Sequence, residues 1–218
     1  MRMDLHLHSK YSPDSSLEPK EIVRTARSRG LDGIAITDHN SPIGSLEARK
    51  VSDGFLVIRG MEISSAEGHI LAYGLSEPIP RGLSPEETVD RIEAAGGVAV
   101  AAHPYRFWSG LGPGTTRRIR FPAVESQNAR TARSGNRHAQ ELQSLIQAGG
   151  TGGSDAHELE TVGEAYTVLE GVSTEGGFLQ ALQSRQTRGE GKDRQGVRTV
   201  AYVTKCVSEW MGRGLKKI

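Results

Sequence analysis

At 218 residues, with 36% hydrophobic, 24% charged and 5% aromatic residues, the chain is long enough for one sizeable core and short for two independent ones. No apolar run approaches the ~20 residues that cross a bilayer, and Cys206, the single cysteine, excludes an internal disulfide and Cys-type zinc or redox motifs. Asp4 and two histidines stand where a secretion leader has its apolar core, so a soluble, cytoplasmic protein is expected.

Net charge is +1, unevenly spread. Arg106 to Arg137 holds seven Arg/Lys against one acid, Glu125, and Arg185 to the end holds nine against three. A carboxylate-rich body with two basic segments suits a metal site that receives anionic substrates. Two solvated surface stretches would give the same counts.

In chain order, residues 1–8 read as a short strand feeding a polar turn, Ser9 to Ser16. Ser16 then caps a helix with Pro19 in its first turn, which stops at Gly30. Leu31 to Thr37 is an apolar strand ending at Asp38-His39-Asn40, followed by a short helix over Gly44–Val51. Further strands are expected at Phe55–Ile58, running on to Glu62, and at His69–Tyr73. Ser84-Pro85-Glu86-Glu87 is a capping box that opens a helix ending at Gly96-Gly97. Val98–Ala102 is an apolar strand ending at His103-Pro104. Tyr105–Phe121 reads as a long Gly-, Pro- and Arg-rich loop, Ala123–Glu125 as a brief strand, and Asn136–Ala148 as a helix. Gly149–Gly153 reads as a turn into Ser154-Asp155-Ala156-His157. A strand at Ala165–Leu169, a helix at Thr174–Ser184 and a last helix at Val197–Met211 complete the chain.

The βα alternation and the near-continuous apolar strands argue for parallel strands covered by helices. With about seven strands, a small distorted (β/α)7 barrel is expected over an open sheet. The absence of repeats and low-complexity linkers points to a single domain over 1–218, with a basic C-terminal helical segment from about 185.

The chemistry-bearing residues gather at strand ends. In an extended strand His6 and His8 share a face, as do Asp155 and His157. Of seven histidines, six (His6, His8, His39, His69, His103 and His157) fall at expected strand ends, beside Asp14, Asp38, Glu62 and Asp155. Only His138 lies on an expected helix, where solvent exposure accounts for it. Six histidines at one end of one fold point to a metal centre. Arg106, three residues after His103, is placed to meet a substrate phosphate, since arginine binds phosphate bidentately. Arg117, Arg118, Arg120, Arg130 and Arg133 are candidates to extend that surface, with Arg185 and Arg188 further off.

Asp4-Leu-His6-Leu-His8, Thr37-Asp38-His39-Asn40, Gly60-Met-Glu62-Ile63, Ala102-His103-Pro104 and Gly153-Ser-Asp155-Ala-His157 resemble the ordered motifs of the PHP (polymerase and histidinol phosphatase) superfamily. That resemblance implies a distorted seven-stranded β/α barrel with a three-metal centre for phosphoester hydrolysis. Carried over by position, it implies one metal at His6, His8 and Asp155, with Glu62 bridging to a second at His69 and His103. A third falls to Asp14, His39 and His157. Many members have histidine where Asp14 stands, and an oxygen ligand there favours Mn2+, Fe2+ or Mg2+ over an all-Zn2+ cluster. Asp38 is expected to support His39 by hydrogen bonding rather than to ligate.

The expected function is metal-dependent hydrolysis of a phosphomonoester of a small phosphorylated metabolite or nucleotide, with a metal-bridging hydroxide as nucleophile and no catalytic side chain beyond the cluster. The leaving-group proton could come from a metal-bound water or from a histidine. Alternatives are a nuclease trimming short RNA or DNA ends, a histidinol phosphatase, and, in another class, a non-catalytic metal-binding domain. Aromatic platforms for a nucleic-acid strand are thin: Tyr105, Phe107, Trp108 and Phe121. No membrane partner is expected, and the sequence is silent on oligomeric state.

Overall fold

The computed structural model describes residues 1–194 of the chain. The helix expected at Val197–Met211, and most of the basic C-terminal segment, lie outside the described residues.

The elements follow in the order β1 (Arg2–Asp4), α1 (Pro19–Ser28), β2 (Gly33–Ala35), α2 (Ile43–Lys50), β3 (Leu56–Ile58), β4 (Gly60–Ser64) and β5 (His69–Tyr73). Then come α3 (Pro85–Ala94), β6 (Val98–Ala101), α4 (Pro113–Arg118), β7 (Ala123–Asn128), α5 (Arg133–Leu145) and β8 (Gly149–Gly153). After a short 3-10 turn (Leu159–Thr161) the described residues end with β9 (Ala165–Val168), α6 (Glu175–Gln183) and β10 (Arg188–Gly191).

Two five-stranded sheets, β10-β9-β1-β2-β3 and β4-β5-β6-β7-β8, make up the α/β framework. They are stitched to each other just past the ends of β1, β2 and β8. Leu7 bridges Ala156 and His39 bridges Glu62, with Asp155 N donating to His6 O at 2.7 Å and Glu62 N to Asp38 O at 3.1 Å. β3 and β4 are separated only by Arg59 and act as one stave. The staves therefore follow one another as β1, β2, β3–β4, β5, β6, β7 and β8, and β8 returns to β1: seven in a distorted ring, as expected in number, although the seventh is Gly149–Gly153 and the expected strand at Ala165–Leu169 pairs antiparallel beside β1 instead.

The parallel pattern has exceptions. β5 is antiparallel to both β4 and β6, and β9 is antiparallel to both β1 and β10. The βα alternation is thus broken by a hairpin at β4–β5, whose connection is too short for a crossover helix.

Alternation along the staves sorts side chains to two sides. Met61 and Ile63 of β4, Ile70 and Ala72 of β5, and Ala99 and Ala101 of β6 pack outward with Val89 and Ile92 of α3. Leu71, Tyr73, Val100 and Ala102 face inward, where Phe178 and Leu182 of α6 join them. Tyr73 meets Phe178 edge-on at 5.5 Å and donates its hydroxyl to Leu5 O at 2.9 Å. A third apolar group joins Ile22, Val23 and Ala26 of α1 to Ile34 and Val57 of the neighbouring staves.

Local signals held where the chemistry was specific. Ser84 Oγ accepts from Glu87 N at 3.2 Å with Pro85 in the first turn of α3, and Thr174 caps α6. At α1 the helix starts at Pro19 behind Glu18 with no side-chain cap, so Ser16 does not cap it. The expected 105–121 loop contains the short α4. Gly149–Gly153, expected as a turn, is the fully buried strand β8. Its glycines answer to close packing rather than to a bend: a Cβ on Gly150 would lie 2.8 Å from Ser126 Oγ and 2.9 Å from Gln143 Oε1, and one on Gly153 would overlap His6.

Candidate metal centre

The polar ends of the staves converge at one mouth of the ring. β1 runs on into His6 and His8, the stretch after β2 brings Asp38 and His39, β4 supplies Glu62 and the segment after β6 supplies His103. The end of β8 leads into Asp155 and His157. His69 differs from the expectation that it ends a strand: it begins β5. Because β5 runs antiparallel and His69 pairs with Ser64 at the end of β4, it still reaches the same mouth. His138 is exposed on α5, 5.3 Å from the Tyr105 ring, away from this group.

Glu62, 1% exposed, lies at the centre. Its Oε1 meets His69 Nδ1 at 2.8 Å and His103 Nε2 at 2.9 Å. Its Oε2 lies 3.3 Å from each of His6 Nε2, His8 Nε2 and His39 Nδ1. Asp155 Oδ1 stands 3.5 Å from His8 Nε2 and 3.9 Å from His6 Nε2. At the rim Asp14 Oδ2 is 2.8 Å from His157 Nε2 and 3.4 Å from His39 Nε2. The nine residues expected to ligate are thus gathered in one cluster.

Donor spacing tests whether ions fit. Two ligands about 2.1 Å from one ion, at 90–109° to each other, stand about 3.0–3.4 Å apart. Among the described residues four triads have ligand atoms all within 4.8 Å of one another: His6-Glu62-His103, His6-His8-Asp155, His8-Asp14-His157 and His8-His39-Glu62. His6 Nε2 and His8 Nε2 face each other at 3.2 Å. The buried Asp14 Oδ1 and His39 Nδ1 have no hydrogen-bond partner, His39 Nδ1 despite its nearness to Glu62. Imidazole nitrogens and carboxylate oxygens at this spacing fit divalent cations.

The electrostatics divide the histidines. Burial disfavours a charged ring at His8, but hydrogen bonding to Asp155 and Glu62 outweighs it and lifts the pKa to about 9. His6 is raised likewise, burial being overcome by Asp155, Glu125 and Glu62. Burial, seconded by Arg106, lowers His103 to about 4, and burial with Arg130 does the same to His157. Glu62 and Asp155 are held well below the usual carboxylate range: burial opposes this, but His69 and His6 around Glu62, and Arg106 and His6 around Asp155, prevail.

Around the cluster stand its supports. Asp38 accepts from Ser9 N at 2.6 Å and Ser9 Oγ at 2.7 Å, so it orients its loop and does not join the triads. Glu125, counted in the sequence only as an acid in a basic window, accepts from His6 Nδ1 at 2.9 Å and from His103 N at 2.8 Å. Arg106 Nη2 donates to Asp155 Oδ2 at 2.5 Å and Asn128 Oδ1 at 2.7 Å. The more exposed Arg130 contacts Asp155 Oδ1 at 3.2 Å and His157 Nδ1 at 2.6 Å. Arg118 instead pairs with Glu67 and Glu86 on the outer surface. The roles of Asn128 and Glu125 carry no sequence signal, because a lone Asn or Glu belongs to no motif.

A ring of staves with imidazoles and carboxylates converging at one mouth defines an α/β fold with residues placed to hold metal ions. The PHP domain family model matches residues 4–146, and a PHP-associated model matches residues 133–187. The chain belongs to the PHP domain family.

Relatives and structural neighbours agree. A protein of uncharacterised function from Methanocaldococcus jannaschii is 44% identical over 117 residues, covering 48% of this chain and 68% of its own length. A 3',5'-nucleoside bisphosphate phosphatase from Chromobacterium violaceum is 33% identical over 84 residues, 36% of this chain and 29% of the phosphatase. A phosphoribosyl 1,2-cyclic phosphate 1,2-diphosphodiesterase from Eggerthella lenta is 33% identical over 85 residues, 35% of this chain and 32% of that enzyme. The chain thus matches about a third of each named enzyme. In fold it resembles a two-domain protein containing a predicted PHP-like metal-dependent phosphoesterase from Bacteroides vulgatus. The TM-score is 0.73 at 20% identity, over 88% of this chain and 65% of that one.

Proposed function

We propose that this chain, acting as one domain, is a metal-dependent phosphoesterase that hydrolyses a phosphomonoester of a small phosphorylated metabolite or nucleotide. The observation that carries this reading is the set of four overlapping His/Asp/Glu triads, each of which contains His6 or His8. His6, His8 and Asp155 would hold one ion, Glu62 with His69 and His103 a second, and Asp14, His39 and His157 a third. The oxygen-bearing third group favours Mn2+ or Fe2+ there, with Zn2+ compatible with the imidazole-rich groups. When bound, closely spaced divalent ions lower the pKa of coordinated water and polarise phosphoryl oxygens, which is the chemistry phosphoester hydrolysis needs.

The chain's own residues do the rest. Burial keeps His103 and His157 neutral, with their lone pairs available. Glu62 divides its two oxygens between the inner histidine groups, fixing their separation. Arg130, the more exposed of the two arginines on Asp155, would take the substrate phosphate; the deeper Arg106 adds positive charge behind it while holding Asp155. That pair supports a phosphate-bearing substrate. The bisphosphate phosphatase among the relatives favours a nucleotide with more than one phosphate.

The test is turnover by the Mn2+-loaded protein of 3',5'-bisphosphorylated nucleotides, histidinol phosphate and short 5'-phosphorylated oligonucleotides. Preference for the mononucleotides is expected. Oligonucleotides turned over well ahead of them would replace this reading with a nuclease, and no turnover with metals fully loaded would favour a binding domain. His39→Ala should cut activity by orders of magnitude with the fold intact; near-normal turnover would remove the third ion from catalysis.

A further inference from the structure

β7 carries two buried polar side chains, Glu125 and Asn128, that both reach the metal centre although they stand three residues apart. In a regular strand, residues three apart point to opposite faces. Here the register against β8 shifts between Glu125 and Gln127, so Ser126 is an inserted residue, the mark of a β-bulge. Ser126 Oγ lies against Gly150 and Gly189 of the neighbouring strands. Gln127 turns outward as well, donating to Lys192 O at 2.9 Å and accepting from Gln140 at 3.1 Å. Two consecutive outward residues return Asn128 to the face of Glu125.

The pair then grips three of the candidate ligands from behind. Glu125 Oε1 accepts from His6 Nδ1 at 2.9 Å, which leaves His6 Nε2 facing Glu62 and His8; Oε2 accepts from His103 N at 2.8 Å. Asn128 Nδ2 donates to Asp155 Oδ2 at 3.2 Å and to Glu125 Oε1 at 3.0 Å, tying the two carboxylates together. Asp155 Oδ1 is left toward His8. Both His103 (φ 23°) and Asp155 (φ 54°) hold left-handed backbone, a strained conformation that persists only where the surroundings fix it. Among the described contacts neither Glu125 nor Asn128 touches Asp14, His39 or His157 directly; Asn128 Oδ1 accepts from Arg130 N at 2.9 Å, and only the Arg130 side chain reaches on to His157.

We propose that the bulged segment Glu125–Asn128 is a brace that positions His6, His103 and Asp155 for the two inner ions and leaves the ion at Asp14, His39 and His157 untouched. The inference rests on the metal reading above. A carboxylate behind a ligating histidine fixes the ring's orientation and raises its basicity, and loss of such a partner costs about 10- to 100-fold in metal affinity. A bulge is the device that lets one strand serve two ligand groups, because it alone brings both residues to the same face.

The experiment is calorimetric titration of the metal-stripped protein with Mn2+, comparing wild type with Glu125→Gln, Asn128→Ala and Asp14→Asn. Urea unfolding of each metal-free variant reports the fold. Glu125→Gln is expected to weaken part of the bound ions about 10- to 100-fold while the remainder bind as in wild type. Asn128→Ala should weaken the same ions, and Asp14→Asn the complementary one. The brace is overturned if Glu125→Gln leaves every ion unchanged, or if it weakens all of them alike. A wild-type protein that binds no Mn2+ overturns the metal reading itself, which the variants could not do.

Discussion

At the residue scale, the cluster sets histidines of opposite character side by side. His103 and His157 are lowered to about 4 and stand neutral, whereas His8 is raised to about 9 by the carboxylates it faces. Ligands must shed their protons to bind an ion. At pH 7 the metal-free His8 carries a proton, so loading should release it. Apparent affinity should rise with pH up to about 9, above which His8 is already neutral and its contribution flattens. Without metal the sign reverses: the raised pKa contributes stability that is fully present below 6.5 and fades as pH climbs through about 9. Titrating Mn2+ in buffers of differing ionisation enthalpy counts the released protons, and none released at pH 7 would sink the assignment of His8. Part of the cluster is legible in the sequence because His6 with His8, and Asp155 with His157, stand two apart on extended backbone, and the remaining histidines fall near expected strand ends. Glu125 and Asn128 are not, because their role depends on a bulge.

At the element scale, glycines mark where backbones and side chains approach too closely for a Cβ. Asp38, hydrogen-bonded to Ser9, lies against the first turn of α2. A Cβ on Gly44 would overlap the Asp38 carboxylate and lie 2.5 Å from Ser9 Oγ. Gly44→Ala should therefore push α2 away from the loop that carries His39, at a cost of about 1–3 kcal/mol typical of overpacking. A fall in the urea midpoint of the metal-free protein, with weaker Mn2+ binding, checks it; an unchanged midpoint would mean that α2 shifts freely. β8 teaches the same lesson. Gly149-Gly-Thr-Gly-Gly153 has the composition of a turn, yet it is a buried strand because β7, β10 and His6 crowd it on every side. His69 shows the converse: its residue type marked it for the site, while the reversal of β5 that brings it there is a property of a hairpin.

At the scale of the whole molecule, the ring closes through groups that belong to the site itself. Leu7 meets Ala156 and His39 meets Glu62, so the two sheets are joined next to the ligands. Ions bound there would tie both sheets together. An ion present at about 100 times its Kd stabilises the fold by about 2.7 kcal/mol, so EDTA should lower the unfolding midpoint of the loaded protein and Mn2+ should restore it. No shift on chelation would show that the cluster holds no ion in the folded state. No helix among the described residues is long and apolar enough to cross a membrane.

The sequence by itself determined six of the seven staves, the capping box of α3 and the histidines at strand ends, because periodicity and capping chemistry are local signals, and its resemblance to the PHP motifs supplied the nine candidate ligands. Only the tertiary structure decided how those residues are held. The reversal of β5, the strand made of glycines and the bulge that turns Glu125 and Asn128 inward all depend on neighbours far apart in the chain. So does the placing of Arg106, whose partner Asp155 lies 49 residues away. A side chain's type is written locally; the direction it faces is set by what packs against its backbone.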